Sequence, residues 1–139
     1  MPITDRKIMI IEDDGLIAED ITMILAGMGY RQITHCQTTG AAKQQLPIFK
    51  PELILLDLNL TASHQLPNHA TKSMDGIEFA QYLQKQAHLP FIIISGFLSE
   101  QGAAKLLDLP LCLGMIVKPF HPINLQEIIT AAMGNLRMV

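Results

Sequence analysis

Five short apolar runs punctuate this chain, and the stretches between them repeat their apolar residues at helical spacing. The runs cover residues 7–12, 31–36, 52–57, 91–94 and 112–117. Each has strand length, and the third, Glu52-Leu53-Ile54-Leu55-Leu56-Asp57, is continuously apolar up to its last residue, as expected of a strand covered on both faces. Between the first two runs, Leu16, Ile17, Ile21, Ile24, Leu25 and Met28 fall on one helical face, and Gly29 supplies a stop. Thr38-Thr39 predicts the cap of a helix over 39–47, limited by Pro47 and Pro51. Ile77, Phe79, Ala80 and Leu83 predict a helix over 75–87, and residues 99–108 predict a weaker one containing Gly102. Leu125, Ile128, Ile129, Ala132, Met133 and Leu136 mark a final amphipathic helix. Strict alternation of strand and helix demands a parallel sheet with helices on both faces, because the crossovers are right-handed. The fold class is therefore α/β, a three-layer (βα)5 sandwich. Alternation alone does not separate the flavodoxin-like strand order 2-1-3-4-5 from half of a Rossmann fold.

The bulk numbers narrow the classes further. A chain of 139 residues is long enough for one domain with a proper core and too short for two ordinary ones, so residues 1–139 read as a single domain. With 49% hydrophobic and 17% charged residues it is neither disordered nor fibrous. A net charge of −3 without a basic stripe argues against direct contact with nucleic acid. Cys36 and Cys112 lack metal-ligand spacing and read as buried free thiols in a reducing compartment. The N-terminus has no secretory pattern, and no apolar stretch approaches the roughly eighteen residues that span a bilayer. Cytoplasm is the expected location, with no membrane partner.

The strand ends carry the chemistry. The first run leads into Glu12-Asp13-Asp14, the third ends in Asp57, the fourth leads into Ser95-Gly96, and the fifth leads into Lys118-Pro119-Phe120. In an open parallel sheet the carboxyl ends of the strands gather along the edge where ligands bind. Any one of these residues taken alone is a turn residue, a helix cap or a surface lysine. Their coincidence at four strand ends is what points to a site. Three carboxylates within ~5 Å would repel by roughly 3 kcal/mol per pair at an effective dielectric near ~20. A hard divalent cation relieves that repulsion, and Mg²⁺ suits oxygen ligands. Asp14, one residue beyond the acidic pair, reads as a helix N-cap.

With these residues in place, the chain resembles the receiver domain of bacterial two-component response regulators, of the chemotaxis-regulator kind, over nearly its whole length. The resemblance implies the 2-1-3-4-5 order and a phosphorylation site at Asp57. It implies Mg²⁺ bound directly by Asp13 and Asp57, by Glu12 through water, and by the backbone carbonyl of Asn59. Ser95, Gly96, Lys118 and Pro119 would bind the phosphoryl group and switch, with a cis peptide before Pro119. The donor would be a phosphohistidine on a sensor histidine kinase or phosphotransfer protein. The output partner is unknown, and a homodimer through the fourth helix, fifth strand and last helix is a candidate. Such a domain is a signalling switch with weak self-catalysed phosphotransfer and hydrolysis rather than a turnover enzyme. The alternative is a pseudo-receiver that binds partners without phosphorylation. A phosphatase or transferase with an aspartyl-phosphate intermediate commonly has an acid two residues after the nucleophile, where this chain has Asn59.

Two departures from the family pattern stand out. Asp57 reaches Asp75-Gly76 only after an insertion at about 60–73, and Thr61 stands where a proline is usual. This polar, aperiodic segment reads as a tolerated surface loop or as a flap over Asp57. His64 and His69 within it are poorly spaced for a second metal. The other departure is Met115, at the strand-five switch position where many receivers have an aromatic ring; methionine can fill the same space. The chain ends soon after the last helix, and the sequence reads equally as a stand-alone domain or a piece of a longer protein.

Overall fold

The computed structural model describes residues 3–60, 74–96 and 105–137. A short 3-10 turn (Ile3–Asp5) precedes β1 (Lys7–Ile11), α1 (Gly15–Gly27), β2 (Gln32–Cys36), α2 (Thr39–Phe49) and β3 (Leu53–Asp57). Then come α3 (Gly76–Tyr82), extended by a π-helical turn at Leu83–Ala87, β4 (Phe91–Ser95), β5 (Cys112–Val117) and α4 (Pro122–Arg137). The five strands are parallel in the order β2-β1-β3-β4-β5. This is the flavodoxin-like choice that alternation left open.

Successive strand residues feed two separate cores, since side chains alternate across a sheet. Ile8, Ile10, Leu53, Leu55, Ile92 and Ile94 pack under α1 and α4, against Ile21, Leu25, Leu125 and Ile129. Met9, Ile11, Ile54, Leu56, Phe91 and Ile93 pack under α2 and α3, against Ala42, Phe79 and Leu83. Both faces of β3 and β4 are buried, which is why those runs have no polar alternation before their last residue.

Several sequence expectations need correction. Leu16 falls on the predicted apolar face of α1 but is 75% exposed in the first turn of that helix, outside both cores. Pro47 does not limit α2, which continues to Phe49 and ends where Lys50 turns left-handed (φ 55°) and donates to the Leu46 carbonyl over 3.0 Å. Pro47 has no N–H to donate to the Lys43 carbonyl, and the helix runs on through Ile48 and Phe49 without that one bond. Cys112 is half-buried rather than buried, and Cys36 is buried; burial raises both thiol pKa values, and neither forms a disulfide among the described residues. Of the predicted helix over 99–108, residues 99–104 lie outside the described residues; Lys105-Leu106 are helical and turn residues follow. Residues 61–73 of the insertion, with Thr61, His64 and His69, also lie outside the described residues. Among the described residues no helix is long and apolar enough to cross a membrane.

Candidate functional site

Strand register decides which residues meet. Ile11 pairs with Leu56, Asp57 with Ile94 and Ser95 with Val117, so Glu12, Asp57, Ser95 and Lys118 come to the same sheet edge. Lys118 donates its backbone N–H to the Ser95 carbonyl over 2.7 Å, continuing the ladder past the end of β5. The Lys118–Pro119 peptide is cis.

Local chemistry then aims the side chains. Asp14 caps α1, its carboxylate accepting from the backbone N–H groups of Leu16 (2.9 Å) and Ile17 (3.3 Å). That cap fixes the turn carrying Glu12 and Asp13, and the Asp14 N–H donates to Glu12 Oε2 over 3.2 Å. His35 on β2 contacts the Glu12 carbonyl at 2.6 Å through Nε2. Asp57 is 1% exposed. Its Oδ1 accepts the Asn59 N–H over 2.8 Å, and the Asn59 side-chain oxygen in turn accepts the Gly96 N–H over 2.9 Å. Asn59 thus joins the turn after β3 to the end of β4. A Cβ at Gly96 would lie 3.3 Å from that oxygen, so Gly96 leaves little spare room beside Asn59.

Charge is concentrated here. Carboxylate oxygens of Glu12, Asp13 and Asp57 lie within 4.8 Å of one another, with Asp13 exposed and the other two buried. Lys118 Nζ sits 2.7 Å from Glu12 Oε1 and 3.3 Å from Asp57 Oδ2. The Glu12 carboxyl is pushed up to about 7, first by burial and then by the neighbouring Asp57 carboxyl, while Lys118 and the Asp14 N–H pull the other way. Burial alone would lower the Lys118 pKa, but Glu12 and Asp57 outweigh it and hold the ammonium above its ordinary value. Glu12 Oε1 is buried with an ion pair but no aligned hydrogen-bond donor. Hard oxygen donors, one of them incompletely satisfied, fit a hard divalent cation.

The sequence-predicted residues Glu12, Asp13, Asp57, Asn59, Ser95, Gly96, Lys118 and Pro119 are therefore adjacent. Met115 is two residues deeper along β5, paired with Ile93 and half-buried against the α2–α3 core. Sequence reasoning passed over two contributors. Gly76 lies so close to the turn after Asp57 that a Cβ there would come within 2.7 Å of the Leu58 Cα and oxygen and 2.8 Å of the Asp57 oxygen. Thr39 is buried and donates its hydroxyl to the Met74 carbonyl over 2.6 Å. The Asp75-Gly76 pair is a local hint for the first; nothing local signals the second.

A 2-1-3-4-5 parallel sheet with acids, a hydroxyl and a lysine at its carboxyl edge is the arrangement of receiver-type signalling modules. The chain belongs to the response regulator receiver domain family, whose model matches residues 8–130. It is 29% identical over 128 residues to the phyllosphere-induced regulator PhyR of Methylorubrum extorquens, covering 91% of this chain and 43% of that protein. It is 23% identical over 134 residues to the transcriptional regulatory protein PdtaR of Mycobacterium tuberculosis, covering 96% of this chain and 60% of that one. The chain thus spans about half the length of these curated relatives. The same fold occurs in the signal receiver domain of a modulated diguanylate cyclase from Desulfovibrio desulfuricans (TM-score 0.78, 22% identity, 96% of this chain and 98% of that one). It also occurs in a CheY-like receiver domain protein from Methanospirillum hungatei (TM-score 0.75, 22% identity, 96% and 98%).

Proposed function

We propose that Asp57 is the phosphoacceptor of this receiver and that its phosphorylation changes the surface formed by β5, α4 and the segment before them. The observation that carries this reading is the Asp57 carboxylate itself, buried at the end of β3, held by the Asn59 N–H on one oxygen and close to Lys118 on the other. Asp13 and Asp57, with Glu12 and the Asn59 carbonyl, would hold Mg²⁺, which supplies positive charge to the transferring phosphoryl group. An Asp57 oxygen forms the new bond to phosphorus as the donor's bond to phosphorus breaks, and the leaving group keeps the electron pair. Lys118 offsets negative charge on the product, and the Ser95 hydroxyl donates to a phosphoryl oxygen. Weak self-catalysed transfer and hydrolysis accompany this chemistry.

The donor is a phosphohistidine of a sensor kinase or phosphotransfer protein. An apolar groove beside Lys118, lined by Ile17, Met23, Ile24, Pro119 and Phe120, supports a protein donor, and Leu16 and Ile123 are exposed nearby. Met115 in place of an aromatic ring makes the change carried by β5 a repacking of a flexible side chain.

The test is intact mass after incubation with a small acyl phosphate, with and without Mg²⁺. The native chain gains one phosphoryl group only with Mg²⁺, and Asp57→Asn gains none. No gain from the acyl phosphate or from a phosphorylated kinase would instead favour a pseudo-receiver that binds partners unphosphorylated.

A further inference from the structure

The insertion leaves the described chain after Leu60 and re-enters at Met74, so its two ends stand next to the turn that carries Asp57. Both ends are tied. The Gly76 N–H donates to the Leu60 carbonyl over 3.1 Å, and Leu60 is buried in the α2–α3 core. On the other side, the Thr39 hydroxyl donates to the Met74 carbonyl over 2.6 Å, and Thr39 is 2% exposed. Thr39 is not needed as a helix cap, because Thr38 already fills that role by accepting the Ala41 N–H over 3.0 Å. Two residues beyond Met74, Gly76 lies against the backbone of Asp57 and Leu58, at a distance that admits no side chain.

We propose that Thr39 is a positioning residue, closing the neck of the insertion and, through Met74 to Gly76, holding the Asp57 turn in place. Thirteen residues separate Leu60 from Met74 in the sequence, so no short connection keeps Met74 beside the Asp57 turn and a tie from another element is needed. The buried hydroxyl–carbonyl bond from Thr39 supplies that tie, and losing the donor leaves the Met74 carbonyl without that partner. Thr39 touches neither Asp57 nor the other acids. Its influence passes through the close contact at Gly76. The geometry stands by itself; only its consequence for phosphoryl transfer rests on the reading of Asp57 given above.

Amide hydrogen exchange of the full chain tests this, with the Asn59 amide as reporter because it donates to Asp57 Oδ1. Thr39→Val keeps the volume and removes the donor. The Gly76 and Asn59 amides then exchange about tenfold faster, while central β1 amides such as Ile10 keep their native rates. Thr39→Ser restores native exchange. In a chain with residues 61–73 replaced by two glycines, Thr39→Val speeds Asn59 exchange by less than about twofold, because the short connection itself keeps Met74 near Leu60.

Uniform acceleration across the strands would mean an ordinary loss of stability and overturn the proposal. So would faster exchange at Gly76 with Asn59 unchanged, or an equal effect in the shortened chain. If Thr39→Val does not fold in the full chain, its folding in the shortened chain is the expected result, and failure in both overturns the idea. Failure of the native chain to take a phosphoryl group would count against Asp57 as acceptor and would leave these exchange rates as they are.

Discussion

Glu12 is the residue at which burial and charge compete most directly. Its carboxyl titrates near 7 instead of 4.5, chiefly because it is buried and then because Asp57 stands beside it. Between those two values the folded chain keeps a proton that the unfolded chain has released. Folding is therefore favoured at the lower end of this window, and stability falls as pH rises through it. Lys118 acts in the same direction at high pH: its raised pKa adds stability that is present below 10.5 and lost as pH climbs past the folded value. For the metal-free protein, the melting temperature should decline between about pH 5 and about pH 7.5, and Glu12→Gln should flatten that decline. A native profile that stays level, or a variant profile of unchanged slope, would contradict it. Glu12, Asp57 and Lys118 were legible in the sequence because a strand end is a local signal. The His35 contact with the Glu12 carbonyl was not, because it depends on β2 lying beside β1.

Among the elements, the helix ends follow local chemistry closely. Asp14, Thr38 and Asp75 each accept a backbone N–H of the helix they begin, and Asp75 and Glu78 form a reciprocal capping box. Gly29 ends α1 at φ 102°, donating to the Ala26 carbonyl over 3.0 Å. Gly29→Ala should cost about 1 kcal/mol or more by forcing a side chain into a left-handed turn, and should leave labelling of Asp57 unchanged. Gly76→Ala acts differently, because its Cβ meets backbone atoms of Asp57 and Leu58 that have little freedom to move. A loss of about 1–3 kcal/mol is expected, with slower acyl-phosphate labelling. Chemical denaturation and mass labelling of the two variants separate these cases; equal labelling would argue that Gly76 does not touch the acceptor turn. Both glycines follow a helix boundary in the sequence, yet only one is there for backbone conformation. Pro47 is the converse lesson, since a residue that breaks helix interiors is tolerated in the last turn of α2.

At the scale of the whole molecule, two cores hold one sheet edge together, and any ligand of that edge is linked to global folding. Mg²⁺ at about ten times its Kd should add about 1.4 kcal/mol to unfolding stability. Asp13→Asn and Asp57→Asn should each lose most of that gain, as thermal melts at fixed pH would record. An equal Mg²⁺ gain in both variants would exclude the acidic cluster as the metal site. The sequence by itself determined the five strands, most helix boundaries and which acids, hydroxyl and lysine reach the sheet edge, because periodicity, caps and strand ends are short-range properties of the chain. The strand order was legible through the family resemblance and not from alternation, while only the tertiary structure decided the exposure of Leu16, the approach of Gly76 to Asp57 and the clamp from Thr39 to Met74. Those depend on contacts between residues distant in the chain, where shifts of a few tenths of an ångström separate a close fit from a clash.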